Sequence, residues 1–318
     1  MALLYDTLDS GTDTNLVGVL RDQYYASTAF YDIMRKRGSI RRVQGGTHWE
    51  GGVSYAEQGT GGTYSGAQVL RSEDKEFVTR WQVDRAKYYK TILFTEEDEQ
   101  KNRGSSQVIN LIAEKEKNAM KAIVQNMSYG IFDDGTKVYA AGETNGFVGL
   151  QKLVSVGVTT ACGIAETDMS DWANIRNDAS GELSIALMLD MLMDCSDGTD
   201  RPDLILTTKG MWEKYYLLLE PSQRAPMGPS VGKWGFDSLG FSPNIPVVWD
   251  NDCPSGYMYF LNMEHLFLIV EEGYDLVRSA YKQPHNQKVR VADITFTGQL
   301  AVDKRKVHGV LYGLTEPA

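Results

Sequence analysis

One stretch of the sequence cannot build a hydrophobic core from its own side chains. Between Gln44 and Glu76, eight glycines fall from Gly45 to Gly66, and aliphatic residues are scarce. Burying so little apolar surface cannot offset the conformational entropy that such a stretch loses when it becomes ordered. We therefore expect contacts outside the segment to order it. A mobile surface loop and a lid over an active site are the alternatives.

The sequence on both sides of this stretch is typical of extended strands. The segment Phe77–Val83 has the period-two alternation of a strand, and Tyr88–Phe94 is rich in strand-forming residues. Together with Ser39–Tyr55, these residues predict a two-stranded ribbon tens of ångströms long, at about 3.3 Å per residue.

An isolated hairpin is only marginally stable in water, so we expect the ribbon to pack against another subunit. Aromatic side chains would supply most of the contact area. Arginines would pair with carboxylates across the interface, at about 0 to 1 kcal/mol per exposed pair. The candidate intersubunit contacts are Trp49, Tyr55, Tyr64, Arg71, Arg80 and Trp81.

A long amphipathic helix is predicted after the ribbon, from Ser105 to Tyr129. Its apolar residues recur at spacings of three, four or eight, which can place them on one side of the helix. Ser105 or Ser106 can cap its start, and Gly130 can end it. Thr95 precedes three acidic residues, which predicts the start of a shorter helix.

From Asp168 onward, helices alternate with short buried strands, which predicts a compact domain around a central sheet. Three methionines, Met188, Met191 and Met193, are expected in the core of this domain. Further strands are predicted in Val289–Leu314, with a turn at Asp303–Arg305. The other predicted elements are helices Glu182–Cys195 and Thr208–Leu219 and strands Asp203–Thr207, Ile245–Trp249, Tyr257–Leu261 and Leu266–Val270.

The net charge of −10 argues against a dedicated nucleic-acid binder, because such proteins concentrate basic residues against phosphate. We expect a soluble protein, since no apolar run of about 18 residues could span a bilayer and no signal peptide is visible. Three cysteines without CxxC spacing favour a reducing compartment. One basic cluster is either a solvated surface or a patch that faces DNA or a neighbour. It comprises Arg35, Lys36, Arg37, Arg41 and Arg42.

No motif in the sequence specifies catalysis, a cofactor or a metal. The stretch GPSVGK, Gly228–Lys233, is one residue shorter than a phosphate-binding loop, and Trp234 follows where Ser or Thr would bind magnesium. Acidic residues between Asp194 and Asp200 lack the spacing of a calcium loop and predict a turn. Asp250 and Asp252 could serve catalysis only if they faced one cavity. We expect no enzymatic activity, no cofactor and no metal.

The order of the predicted elements resembles the major capsid protein of tailed bacteriophages, with its Hong Kong 97-type fold. The resemblance covers nearly the whole chain through short motifs. These are Gly45-Gly46, Asn102-Arg103-Gly104, Gly149-Leu150 with Leu153-Val154, Cys162-Gly163-Ile164 with Trp172 and Asn174, Pro202–Thr207, Ile245–Asp250 with Asp252-Cys253-Pro254, and Tyr259–Asn262.

The resemblance implies an α+β fold with four parts. Residues 1–38 would be an N-terminal arm, and residues 39–94 an extended β-ribbon loop and its base. Residues 95–148 and 276–318 would form a peripheral domain with the spine helix 105–129. Residues 149–275 would form an axial α/β domain. In this family the extended loop lies across a neighbouring subunit.

The resemblance also implies a structural role. Subunits would assemble as hexamers and pentamers of an icosahedral shell that encloses double-stranded DNA without sequence-specific binding. The chain would be made in the host cytoplasm and end in the virion. The short arm suggests a separate scaffolding protein, and a portal and a decoration protein are further expected partners. The family's type member crosslinks a lysine of the ribbon to an asparagine of the next subunit. Lys75 lies near the corresponding region of this sequence, but no motif fixes a partner for it, so we expect the arm and the ribbon to interlock subunits without a covalent crosslink.

Two other functions are compatible with the sequence. A cellular nanocompartment shell of the same fold, similar to an encapsulin, would need a cargo-binding pocket on its inner face. An α/β hydrolase or transferase would use the glycine-rich ribbon as a lid. The enzyme would be a monomer or a small oligomer with a deep pocket of convergent polar groups near Asp250 or Asp252.

Overall fold

A computed structural model of the chain describes residues 29–57, 59, 61–67, 69, 73–101, 111–136, 146–157, 159–219, 239–241, 245–285 and 287–316. Residues 1–28 of the predicted arm, Asn102–Gly104, Arg71 and Gly228–Lys233 lie outside this description. The fold is mixed, with 27% helix and 35% strand, which confirms the predicted α+β class.

The described residues form helices of very different lengths. In chain order these are α1 (Ala29–Arg37), α2 (Glu96–Lys101), α3 (Leu111–Ile131), α4 (Leu150–Leu153), α5 (Ile185–Asp194) and α6 (Lys209–Leu218), with 3-10 turns at Ser170–Trp172 and Arg305–Val307. The strands are β1 (Ile40–Val43), β2 (Trp49–Ser54), β3 (Val78–Val83), β4 (Ala86–Thr95), β5 (Thr160–Ala161), β6 (Ile164–Ala165), β7 (Ile175–Gly181), β8 (Leu204–Thr207), β9 (Leu239–Phe241), β10 (Ile245–Trp249), β11 (Met258–Leu261), β12 (Leu266–Glu271), β13 (Val277–Arg278), β14 (Val289–Val302) and β15 (Gly309–Leu314).

Two sheets organise the chain. The first has the order β1-β12-β14-β13, with β4 also paired to β14. Strand β14 joins its parts, because residues 289–298 pair with β4 and residues 298–302 pair with β12. The second sheet has six strands in the order β7-β15-β11-β8-β10-β9.

The two sheets divide the chain differently from the predicted domain limits. Strand β12 lies within the predicted axial range 149–275, yet it pairs with β1 and β14 of the first sheet. Strand β15 lies within the predicted peripheral range 276–318, yet it pairs with β7 and β11 of the second sheet. The chain therefore crosses between the sheets twice near its end.

The spine helix forms where the sequence predicts it. Helix α3 covers the described part of Ser105–Tyr129 and continues past Gly130 to Ile131. The described residues form two hydrophobic cores, and Ile123, Met127 and Ile131 on the apolar side of α3 are fully buried in the larger core. The shorter helix α2 begins as predicted, because the Thr95 hydroxyl accepts the Asp98 N–H at 3.1 Å and the Asp98 carboxylate accepts the Thr95 N–H at 3.2 Å.

Helices α5 and α6 cover one face of the six-stranded sheet. Ser184 and Thr208 cap their first turns through side-chain oxygens that accept the N–H groups of Leu187 and Met211. Their buried side chains share a core with the sheet strands. The opposite face of the sheet belongs to the larger core, which also contains helix α1.

His308 is completely buried beside the larger core. Its Nδ1 accepts the Asn262 N–H at 3.2 Å, and its Nε2 has no hydrogen-bond partner among the described residues. Burial lowers the pKa of His308 to about 3, and the nearby charges of His265 and Arg305 act in the same direction. The folded chain therefore keeps this imidazole neutral.

We expect acid to destabilise the subunit through His308. The unfolded chain takes up a proton near the ordinary pKa of about 6.5, whereas the folded chain resists protonation down to about pH 3. Stability is therefore lost as the pH falls below about 6.5, by about 2 kcal/mol at pH 5. Urea unfolding of the unassembled subunit between pH 8 and pH 5 measures this loss.

The variant His308→Asn keeps a hydrogen-bond acceptor and removes the titration, so its unfolding free energy should fall less steeply with acid. His285→Gln, which changes an exposed histidine, is the matched control for the substitution itself. Parallel pH profiles for the native chain and His308→Asn would contradict the prediction.

Candidate intersubunit surface

The predicted ribbon is present, and it is shorter than expected. Strands β2 and β3 pair in antiparallel register from Trp49 with Val83 to Ser54 with Val78. Six residues per strand give a paired length of roughly 20 Å. Residues Ile40–Val43, predicted as part of the ribbon, instead pair in parallel with β12. Pairing with the edge of β12 satisfies backbone groups of β1 that would be exposed to water in a longer isolated hairpin.

Two tryptophans anchor the root of the ribbon within the subunit. The Trp81 ring lies over Gly51, where a Cβ atom would come within 2.7 Å of the indole, and its centroid is 5.7 Å from that of Phe267. Trp49 and Trp81 are only 4% and 5% exposed. The two tryptophans therefore expose little area to a neighbouring subunit. Among the candidate contacts that the structure describes, Tyr55, Tyr64 and Arg80 are the exposed ones.

The far part of the ribbon presents uncovered aromatic and aliphatic side chains. Tyr55 is 38% exposed, Tyr64 is 69% exposed and Val69 is 88% exposed. Arg80 pairs with Glu50 across the two strands at 3.2 Å, in a solvated position. Large apolar side chains grouped on an exposed segment are typical of protein interaction surfaces.

The basic cluster lies at the end of α1 and in β1, where most of its arginines contact the subunit itself. Arg37 pairs with Asp203 at 2.6 Å and Arg42 with Asp275 at 3.3 Å. Arg41 pairs with Asp303 at 3.4 Å and stacks on Phe267, with 3.4 Å between the guanidinium carbon and the ring centroid. The exposed side chains of Arg35 and Lys36 complete the cluster.

The paired carboxylates Asp250 and Asp252 hold helices together. Buried Asp250 accepts the Phe30 N–H at 3.0 Å and so caps the start of α1 across 220 residues of sequence. Asp252 accepts the Gln125 side-chain amide at 3.1 Å and the Ser128 hydroxyl, both from α3. Burial raises the pKa of Asp250. The two carboxylates thus join three elements of the fold, which is a structural role.

Charged side chains beside the ribbon form ion pairs with one another. A cavity of about 390 Å³ lies between the ribbon and the turn that follows β14. On its wall, His265 Nδ1 is 2.8 Å from Asp303, and Lys304 contacts Asp197 at 2.8 Å and Asp200 at 2.5 Å. Hydrogen bonds from Lys304 and Lys306 lower the pKa of Asp197 to about 2.

The predicted turn at Asp197–Asp200 is confirmed by the backbone bridge between these two residues. In the part of the chain that the structure describes, no group of three or more His, Cys, Asp or Glu side chains is arranged to hold a metal ion. Within the same residues, no helix is long and apolar enough to cross a membrane.

Comparison with known proteins gives matches by structure alone. The sequence matches no protein-family model and no curated protein. The capsid asymmetric unit of cyanophage A-1(L) superposes with a TM-score of 0.73 at 16% identity, covering 95% of this chain and 96% of that chain. The capsid of the native GTA particle gives 0.63 at 10% identity, with 96% and 94% covered.

The capsid of Myoviridae phage XM1 gives a TM-score of 0.60 at 12% identity, covering 94% of this chain and 96% of that chain. At such identities the likeness establishes architecture, which here extends over almost the full length of each chain. The described elements follow the predicted order of ribbon, spine helix, α/β sheet and returning strands. The chain therefore has the Hong Kong 97-type fold of tailed-phage capsid proteins.

Proposed function

We propose that the chain is a major capsid protein, which assembles as hexamers and pentamers of an icosahedral shell around the double-stranded DNA of a tailed phage. The observation that carries the proposal is the match to a phage capsid subunit over 95% of this chain and 96% of the other, with a TM-score of 0.73. The shared fold covers nearly all of both chains, so one architecture accounts for the described elements. The proposal contains no enzymatic step.

The exposed part of the ribbon supports a tiling function. Its described residues between Tyr55 and Phe77 are exposed or half-buried in the single subunit, and they include Tyr64 and Val69. In the proposed shell, Tyr55, Tyr64, Arg71 and Arg80 contact a neighbouring subunit. Obligate interfaces commonly bury more than about 2,000 Å², so such side chains would be covered on assembly.

The division of the chain into parts belongs to the same proposal. Residues 39–94 act as the extended loop and its base, residues 95–148 and 276–318 as the peripheral domain, and residues 149–275 as the axial domain. Strand β12 then belongs to the sheet of the peripheral domain and β15 to the sheet of the axial domain. The buried tryptophans at the root, Trp49 and Trp81, position the loop from within the subunit. Residues 1–38 act as the arm.

The charge of the chain suits a container for DNA. A net charge of −10 disfavours tight adhesion to phosphate, and the exposed side chains of the basic cluster are its candidate contacts to DNA or a neighbour. These are Arg35, Lys36, Arg41 and Arg42. A scaffolding protein, a portal and a decoration protein are proposed partners. The mature location is the virion.

Electron microscopy of the purified chain, alone and with a co-expressed scaffolding protein, tests the proposal. Shells or rings of five and six subunits are the expected result. A protein that stays monomeric under both conditions would overturn it. Shells that recruit a cellular enzyme in place of DNA would favour the nanocompartment.

Replacing Tyr64 tests the contact made by the ribbon. Tyr64→Ser removes an aromatic side chain that is 69% exposed, so the unfolding free energy of the single subunit should stay within about 0.5 kcal/mol of the native value. Loss of an aromatic interface anchor costs about 2 kcal/mol per contact, or roughly 30-fold in the concentration needed for assembly. Light scattering against protein concentration measures this threshold.

The matched control is Tyr64→Phe, which keeps the ring and removes only the hydroxyl. It should assemble close to the native threshold. Equal thresholds for Tyr64→Ser and Tyr64→Phe would show that the aromatic ring makes no contact in the shell.

A further inference from the structure

Helix α5 carries an apolar ridge on its solvent side as well as on its core side. Met188 and Met191 are fully buried, whereas Ile185, Leu189 and Met193 are 40%, 41% and 63% exposed. The prediction that Met193 belongs to the core is therefore wrong. Residues four apart are neighbours along a helix, so these three side chains form one continuous ridge. A helix with one buried face ordinarily has polar residues on its solvent side. An exposed apolar ridge on that side is typical of a protein contact.

The charges around this ridge restrict its partner. Between Asn177 and Asp200 the sequence has six acidic residues and no Lys or Arg. Lys304 neutralises Asp197 and Asp200, but the ion pairs of the described residues include none of the three exposed acids beside the ridge, Glu182, Asp190 and Asp194. A two-fold contact between the α5 helices of two copies would bring these like charges together.

A less acidic apolar surface lies at the other end of the same sheet. Helix α5 packs on β7 and β15 at one end of the strand order, and α6 packs on β10 near the other end. The last turn of α6 exposes Tyr216, Leu217 and Leu218 by 36%, 65% and 41%. Its own charges, Lys209 and Lys214 against Glu213, sum to +1, and the Glu316 carboxylate at its N-cap Thr208 brings the local balance to zero.

We propose that the α5 ridge of one copy packs against residues 216–218 of the next copy, head to tail. Two different surfaces at opposite ends of one sheet generate a ring when repeated copies close, whereas a self-complementary surface stops at a dimer. The acidic rim of α5 then meets a helix without excess negative charge, which avoids the like-charge contact of the two-fold arrangement. This inference rests on the proposed capsid function and assigns one of its contacts within a ring of five or six subunits.

Cross-linking between differently labelled copies tests the contact. Met193→Cys and Leu217→Cys are purified separately and mixed before assembly, and the assembled particles are treated with a short thiol-to-thiol reagent. The native cysteines, Cys162, Cys195 and Cys253, are buried and should not react. Because each chain carries a single accessible thiol, any product that contains one chain of each variant must join two subunits.

The expected product is a dimer with one chain of each kind, identified by mass spectrometry, in the mixture and in neither variant alone. Assembled particles without this product would overturn the α5–α6 contact while leaving the capsid function intact. A dimer from Met193→Cys alone would instead show a two-fold contact and overturn the head-to-tail arrangement. Native chain that forms no particles at all would count against the capsid function itself.

Two further measurements test the same contact independently of the cross-link. The thiol introduced by Met193→Cys should react with a maleimide in the unassembled subunit and become protected at least 10-fold in the particle. Slow labelling before assembly would show that the subunit's own residues cover the ridge, and would overturn the proposal. Leu189→Asp should leave the unfolding transition of the single subunit in place and raise the assembly threshold at least 10-fold, or about 1.4 kcal/mol; an unchanged threshold would contradict the contact.

Discussion

Replacing Gly149 with alanine should prevent stable folding of the subunit. A Cβ atom at this position would lie 2.3 Å from the carbonyl oxygen of Gly130, 2.4 Å from that of Ile131 and 2.6 Å from that of Asp133. These oxygens belong to the backbone around the end of the spine helix, so no side-chain rotation can relieve the overlap. We expect a loss of about 3 kcal/mol or more, at the upper end of overpacking effects.

The φ of Gly149 is −90°, which any residue can adopt, so backbone conformation does not require glycine here. The lack of space for a Cβ atom does. Urea unfolding of the soluble fraction measures the loss. The matched control is Gly157→Ala, where an added Cβ would meet nothing within 4 Å, and its stability should stay within about 0.5 kcal/mol of the native chain. Similar stabilities for both variants would show that the helix end can move aside.

Replacing Glu166 with glutamine should cost about 3 to 5 kcal/mol, because it leaves a buried guanidinium without its counter-charge. Arg305 is fully buried, with its Nη1 2.5 Å from one Glu166 oxygen, and Arg176 contacts the other oxygen at 2.6 Å. Arg305 also donates to the Leu153 carbonyl at 2.6 Å and to the Ser155 hydroxyl at 2.9 Å. Burial lowers the pKa of Arg305, and Glu166 opposes that effect.

The substitution preserves the shape of the side chain and removes its charge, so a stability loss reports electrostatics more than packing. Glu50→Gln is the matched control, because it breaks the exposed pair with Arg80, in which both side chains are more than half exposed. Such a pair contributes about 0 to 1 kcal/mol. Unfolding free energies measured in the same buffer compare the two. Losses of equal size would show that water reaches the Glu166 site.

Local elements of this protein follow from local sequence. Strand β10 has the predicted limits Ile245–Trp249, and the start of α2 at Glu96 follows from the Thr95 and Asp98 cap. Helix caps and apolar periodicity depend on residues a few positions apart, so they can be identified before any tertiary contact is known. The resemblance to phage capsid proteins rests on the order of these elements along the chain.

The candidate surfaces depended on contacts that the sequence does not display. The ribbon aromatics look alike in sequence, yet Trp49 and Trp81 are buried at its root while Tyr64 is exposed near its tip. Likewise, Met188 and Met193 occupy one apolar helix, and only the position of the sheet places the first inside and the second outside. Periodicity predicts that a helix has faces, but a very apolar helix does not show which face is covered.

By itself, the sequence determined that residues 44–76 could not form an independent core and that a long helix and an α/β sheet followed. Tertiary structure alone decided that Asp250 caps α1, that β1 joins β12 and that β15 returns to the six-stranded sheet. Each of these contacts joins segments more than 100 residues apart. The free energy of these contacts depends on which backbone groups and apolar faces remain unpaired in the rest of the fold. A local sequence pattern does not contain this information.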